Sequence, residues 1–415
     1  MARTLDVYLD RNLIGHFTQD DHGDTQFRYL DAWLQNANAI PLSHSLPLRS
    51  DAFIRRECRA FFAGILPEAE KRLLVAQNLG ISGNNDYSML ERIGGECAGA
   101  VTFVPAGQAL QDEDSGYRPL TDAELAVVLR ELPRRPLLAG DGEVRLSLAG
   151  AQDKVAVCLR NGKLSIPLGD APSTHILKPA IDRFEGTVYN ESFCMKLAHA
   201  VGLPTANVLT NSVDGIDYLL VERYDRTVSG SGELERLHQE DFCQALNIIP
   251  EHKYQNEGGP SHQQCFQLLR DASSVPVLDL SALLDAAIYN FVIGNNDAHG
   301  KNFSLLYHGK KASDLRIGLA PLYDLLCTAY YSELSGKMAM KLGGEYFSGR
   351  VSIKHFERFA EDTGFGKPQV LRRLRALVEA ISSNLSKVNT GHQAEVEVAD
   401  LISKRSDRIR AWFRS

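Results

Sequence analysis

The stretch NNDAHGKN, Asn295 to Asn302, crowds an acid, amides and bases directly after an apolar run that ends in FVIG. Such a segment belongs where a buried helix opens into a loop. Asp297 and Asn302 stand five residues apart. That pairing suits phosphoryl transfer, in which a carboxylate accepts the attacking hydroxyl's proton while a nearby amide oxygen helps hold Mg²⁺ on nucleotide phosphates. Taken alone, the same residues would serve equally as a polar turn that caps a helix.

Order along the chain separates the two readings. The D-x4-N spacing is that of the catalytic loop of protein kinases. Downstream, LAPLYDLL sets Asp324 among apolar residues, the setting of a second magnesium-binding aspartate. Upstream, THILKPA puts Lys178 on a strand with apolar neighbours, where an ammonium is costly unless it meets phosphate or a carboxylate. Glu191 follows thirteen residues later, early in a helix, and could pair with it. DYLLVERYD ends an apolar strand at Glu222 and Arg223, where a kinase hinge holds adenine by backbone groups. First in order comes SLAGAQDK, Ser147 to Lys154, a turn of small residues whose N–H groups could approach phosphates. Each feature has a plain structural alternative: an edge-strand lysine, a helix cap, a first-turn acid. Together they run loop, Lys, Glu, hinge, Asp/Asn, Asp, which is the kinase order.

The elements that must position these residues fall into a β-rich half and an α-rich half. LDVYLD, LIGHFTQ and TQFRYL read as strands separated by turn signals. A helix is expected from Asp51, with Phe53, Ile54, Phe61, Phe62 and Ile65 on its apolar side, and a second from Pro67 to Leu79. Gly94 to Pro105 reads as a glycine turn entering a strand. Residues 106–120 are polar and lack periodicity, so they are the expected linker. A short helix spans Asp122 to Leu132. The run from Leu146 to Gly169 reads as three strands, the last two joined at Asn161-Gly162. Helices are expected over Glu191–Val201, over Leu278–Ile293 and along a stripe from Val370 to Leu385. KKASD, Lys310 to Asp314, reads as a hairpin tip. The boundaries so drawn are 1–105, a linker 106–120, a β-rich lobe 121–237 and an α-helical lobe 238–415.

Composition narrows the class. The chain has 415 residues, 44% hydrophobic and 23% charged, which excludes a mostly disordered protein. No run approaches the ~18 consecutive apolar residues of a membrane span, and a cytoplasmic protein away from membranes is expected. The seven cysteines are scattered and never form CxxC, which argues against a disulfide framework or a zinc site. The net charge of −7 is unevenly placed: residues 350–415 hold 13 Lys and Arg against 8 Asp and Glu. A basic end of this kind is most simply a solvated helical face.

The motifs also resemble the HipA family of bacterial serine/threonine kinase toxins. The resemblance runs through SLPL, GILPE, IGGECAGAV, LSLAGAQDK, THILKP, NESFCMKLA, VERYDR, QEDFCQAL, NNDAHGKNFS and PLYDLL. It implies an α+β, two-lobed, protein-kinase-like fold with a small α+β N-terminal subdomain. By resemblance Ala149, Gly150, Ala151, Gln152, Asp153 and Lys154 form the phosphate loop, Lys178 binds phosphate with Glu191 beside it, and Glu222, Arg223 and Tyr224 form the hinge. By the same resemblance Asp297 is the catalytic aspartate, Asn302 and Asp324 are magnesium ligands, and His299 and Lys301 shape the catalytic loop or contact the γ-phosphate. Ser147 matches a serine that family members autophosphorylate. The implied cofactors are ATP and Mg²⁺. The implied partners are a HipB-like helix-turn-helix antitoxin, operator DNA through that antitoxin, and an aminoacyl-tRNA synthetase substrate, glutamyl-tRNA synthetase above all. Where some members carry a lysine-rich loop, this chain has only Lys341, Arg350 and Lys354, so direct DNA contact there is not expected. The alternative is a kinase-fold co-repressor that needs no catalysis.

Overall fold

A computed structural model describes residues 2–110, 116–142, 144–230, 232–309 and 311–414. Residues 111–115 of the expected linker and Lys310 of the expected hairpin tip lie outside the described residues. The chain forms two compact units, one from Met1–Pro179, Asn211–Glu251 and Leu305–Ile317, the other from Ala180–Thr210, His252–Ser304 and Gly318–Ser415.

Two larger sheets dominate the first unit. In one, β1 (Arg3–Leu9), β2 (Asn12–Gln19), β3 (Thr25–Tyr29), β4 (Phe53–Ile54) and β5 (Val101–Pro105) lie in the order β4-β3-β2-β1-β5. Alternation decides its faces: Phe17 and Phe27 are opposed in register and both buried, and Phe17 stacks on Phe62 at 4.0 Å between ring centroids. The helix expected from Asp51 begins only at Arg55, because Phe53 and Ile54 pair with Phe27 and Gln26 as β4. A Phe-Ile pair suits a strand at least as well as a helix, and the neighbouring strand wins. The next helix, Ala69–Leu79, stops at Gly80, whose φ of 66° closes it in the left-handed conformation. The helix Asp86–Ile93 was not expected, although Asn85 caps it by accepting from the Ser88 N–H.

The second sheet adds β6 (Tyr117–Pro119), β7 (Val155–Arg160), β8 (Lys163–Pro167), β9 (His175–Pro179), β10 (Val208–Val213) and β11 (Ile216–Glu222), in the order β10-β11-β9-β7-β8-β6. β9 lies between two neighbours, which fixes Lys178 opposite Leu219. The expected strand over positions 146–148 is absent. Leu146 makes only an isolated bridge to Glu96, so the segment before the glycine turn is pinned backbone rather than ladder.

The second unit is mainly helical: Thr187–Ala200, His262–Ala272, Pro276–Ile293, Ile353–Thr363, Lys367–Val388 and Gln393–Ala411. The helix Pro276–Ile293 has the length and mean hydropathy to cross a membrane, although Asp279 and Asp285 interrupt its apolar residues. Every residue from 283 to 293 is buried within the unit, which accounts for the apolar composition as core packing. The last helix docks by Val398, Ile402 and Ile409, and Trp412 reaches the rings of Phe291 and Phe356.

Candidate active site

In the second unit the core helix ends at Gly294 in the left-handed conformation, where a side chain would meet Ala329 and Arg405. The chain then enters the polar loop. Thr328 holds the turn on both sides: its hydroxyl donates to the Gly294 carbonyl at 3.1 Å and accepts from the Asn296 N–H at 2.7 Å. The Asp297 N–H donates to the Asn295 side chain at 3.1 Å. The Asp297 carbonyl accepts from the His299 N–H at 2.8 Å and, more weakly, from the Asn302 amide at 3.5 Å. Asp297 and Asn302 therefore share one tight turn, as their spacing predicts. His299, Lys301 and Asn302 are buried, and the Lys301 carbonyl accepts from the Tyr323 hydroxyl at 2.8 Å.

Tyr323 leads to Asp324, whose φ of 58° is left-handed. Non-glycine residues held there carry a conformational cost of about 1–3 kcal/mol and cluster at functional sites. The flanking segments fix it. Leu322 exchanges backbone hydrogen bonds with Pro204 and Ala206, and Cys327 is gripped by Asn190, whose amide oxygen accepts at 2.8 Å and whose amide nitrogen donates at 3.1 Å. Asn190 precedes Glu191 on the helix Thr187–Ala200, so a single amide ties the acid-bearing helix to the Asp324 segment. Asn190, Thr328 and Tyr254, whose hydroxyl donates to Asp297 Oδ1 at 2.8 Å, escape a reading of the sequence. Only Asn190 left a signal, as a buried amide beside a charged residue in NESF.

In the first unit the loop from Ala149 to Lys154 is held from two directions. Gly150 has φ of 108°, and a Cβ there would lie 2.6 Å from Lys154 Nζ, which itself donates to the Ala149 carbonyl at 2.9 Å. The Glu68 N–H donates to the Gly150 carbonyl at 3.2 Å, and Lys71 Nζ sits 2.7 Å from Asp153 Oδ1. Ser147 is 0% exposed and donates to the Ile65 carbonyl at 3.0 Å. The GILPE segment thus contacts the loop at several points. Ala151 and Gln152 complete the turn between these contacts. Lys178 is 6% exposed on the middle strand β9.

At the end of β11 Glu222 is exposed, while Arg223 turns inward. Its guanidinium donates to Asp225, to Glu96 at 3.0 Å and to the Cys97 carbonyl at 2.8 Å, and its N–H goes to the Thr174 carbonyl. Tyr224 donates its hydroxyl to Gln239. Arg226 and Arg236 also bind Glu96. Burial alone would push the Glu96 carboxyl up, but Arg226, Arg236 and Arg223 outweigh it and hold it down at about 2. Arg223 is therefore fully engaged inside the unit, joining VERYDR to IGGECAGAV.

The chain is similar over most of its length to known proteins. The HipA N-terminal domain family matches residues 5–104 and the HipA-like C-terminal domain family matches residues 146–385. Y4mE of Sinorhizobium fredii, a candidate kinase by its name, is 48% identical over 391 residues, spanning 93% of this chain and 92% of that protein. The serine/threonine-protein kinase toxin HipA of Shewanella oneidensis is 28% identical over 398 residues, spanning 93% and 89%. A solved structure of the Shewanella oneidensis HipA, HipB and operator DNA complex superposes with a TM-score of 0.85 at 26% identity, covering 99% of this chain and 98% of that one. With both family domains matched in order, and a mixed helix-and-sheet fold shared over nearly its whole length, the chain belongs to the HipA family of serine/threonine kinases.

Proposed function

We propose that this kinase is the toxin of a toxin–antitoxin pair, transferring the γ-phosphoryl group of ATP to a hydroxyl of an aminoacyl-tRNA synthetase, glutamyl-tRNA synthetase first, and to its own Ser147. The observation that carries the reading is the turn that sets Asp297 and Asn302 together, followed by Asp324 in the left-handed conformation. The donor set fits the cofactors: an amide oxygen and a carboxylate are the hard oxygen ligands Mg²⁺ takes, and Gly150 leaves bare backbone where a side chain would fill the loop. When bound, the metal neutralises charge on the phosphates. Asn302 and Asp324 would hold it. Lys178 and the loop Ala149–Lys154 would bind phosphate oxygens, and the backbone near Glu222 and Tyr224 would receive the base. Asp297 would orient the acceptor hydroxyl and take its proton late in the transfer. Likeness to the Shewanella oneidensis complex supports a HipB-like antitoxin as partner and operator DNA reached through it. A cytoplasmic site of action goes with that reading.

The test is incubation of the purified chain with radiolabelled Mg-ATP and glutamyl-tRNA synthetase, beside Asp297→Asn. Label on the synthetase with wild type alone is expected. No label on any synthetase, together with tight antitoxin and operator binding, would favour a co-repressor.

A further inference from the structure

We infer that Tyr254 is a positioning residue for phosphoryl transfer, its hydroxyl fixing the Asp297 carboxylate in the orientation that receives the acceptor proton. This rests on the reading of Asp297 as proton acceptor. The Tyr254 hydroxyl donates to Asp297 Oδ1 at 2.8 Å. A carboxylate turns easily about its Cβ–Cγ bond, and a phenolic donor on one oxygen fixes that rotation, which sets the direction in which the remaining lone pairs face. The phenol is itself held. Its ring meets His299 edge to face at 5.3 Å between centroids, so two residues of the catalytic loop lie against one tyrosine. Lys253 Nζ lies over the ring at 5.5 Å, and a cation on the π face strengthens the O–H as a donor.

The segment that carries the tyrosine is built for a fixed shape. The Tyr254 carbonyl accepts from the N–H groups of Glu257 and Gly259, both within 2.9 Å. A side chain at Gly259 would lie 2.5 Å from the His252 carbonyl, so only glycine lets the turn close. Gln255 then fastens the turn elsewhere: its side-chain oxygen accepts from the Lys341 N–H at 2.7 Å, on the strand Lys337–Leu342. That strand returns to the catalytic loop, since the Ala339 N–H donates to the Asn296 carbonyl at 2.7 Å. Tyr254 thus stands on a closed circuit of contacts that begins and ends at the loop it orients. Positioning of this kind governs rate, because a small misplacement of a reacting group can cost about a hundredfold.

The experiment measures total turnover of radiolabelled Mg-ATP, as phosphate released plus phosphate bound to protein, for wild type, Tyr254→Phe, Gln255→Ala and Asp297→Asn. Tyr254→Phe keeps the ring and removes one oxygen. Its kcat is expected to fall about 10- to 100-fold, with KM for ATP within about twofold and the melting temperature unchanged. Gln255→Ala, which leaves the hydroxyl in place but loosens its turn, should lower kcat in the same sense by less. An unchanged or raised kcat in Tyr254→Phe, or a loss confined to KM, overturns the inference. If Asp297→Asn is inactive while Tyr254→Phe behaves as wild type, only the tyrosine's role is wrong. If Asp297→Asn stays active, or wild type does not turn ATP over, the reading of Asp297 fails and this inference with it.

Discussion

Asp324 separates charge from backbone conformation in one position. Asn tolerates φ near 58° at least as well as Asp does, whereas most other residues do not. Asp324→Asn should therefore leave the melting temperature nearly unchanged and abolish Mg-dependent transfer. A large loss of stability in that variant would mean the carboxylate is structural. Lys178 calls for a ligand comparison. Lys178→Ala should weaken ATP binding about tenfold or more, the value of a charged hydrogen bond, and leave adenosine binding unchanged; equal losses for both would make the lysine structural. Glu240 is a third case, unconnected with chemistry. It is buried, accepts from Ser43, from the His44 N–H at 2.8 Å and from Tyr307, and burial raises its carboxyl to about 7 despite those donors. The folded protein thus keeps a proton that the unfolded chain releases above the ordinary 4.5. Its contribution to stability is present below that pH and is lost as pH rises through about 7. Denaturant titrations at pH 5 and pH 8 should show this decline, and Glu240→Gln should flatten it. A decline equally steep in the variant would assign it to other groups.

Among the elements, the helix Ala69–Leu79 is tied to the loop Ala149–Lys154 through the Lys71–Asp153 pair. Both side chains are mostly covered, so the pair should be worth about 1 kcal/mol, near the upper end for ion pairs not wholly buried. Lys71→Ala and Asp153→Ala should each speed exposure of the loop to limited proteolysis, and the double variant should add little further. Strict additivity would show that the two residues do not act together. The turn that joins Asp297 to Asn302 was legible in the sequence because it is local: both residues and the apolar helix before them are contiguous. The alternation of β1 to β3 was legible for the same reason. Contacts between distant segments left no such trace. Nothing in the spacing shows that Arg223 would spend its guanidinium on Glu96, 127 residues earlier, or that Phe53 would join a strand. Propensity at Phe53 is ambiguous, and the partner that decides it is far away in sequence.

For the molecule as a whole, the first unit is assembled from three separate segments and the chain passes between units five times. Residues 238–251 and 305–317 supply it with Glu240, Gln244 and Tyr307, which accept from or donate to Ser43, the Phe61 carbonyl and Glu240. A fragment ending at residue 237 lacks all three. It would take the Glu240 acceptor from Ser43 and the Gln244 donor from the Phe61 carbonyl, at about 1 kcal/mol each. Such a fragment should show no cooperative thermal transition, and a sharp one would prove the unit self-sufficient. Glu96 carries comparable weight: Glu96→Ala takes a buried carboxylate from Arg223, Arg226 and Arg236 at once, and leaves Asp225 as the carboxylate shared by Arg223 and Arg226. It should lower stability by about 3–5 kcal/mol, the cost of breaking a buried pair from one side, read by chemical unfolding. A loss under about 1 kcal/mol would mean the arginines find other partners.

The hydroxyl of Ser147, sealed against the Ile65 carbonyl, has a kinetic consequence. No active site can reach an atom with 0% exposure, so any phosphate found there was added while the loop stood open. The modification rate is then the open fraction multiplied by the intrinsic rate of transfer, the same relation that governs exchange of a protected amide with solvent. Each molecule would carry a permanent record of a transient opening. In a population at rest the labelled share would grow with elapsed time, and Ser147 would act as a clock set by the strength of its own lock.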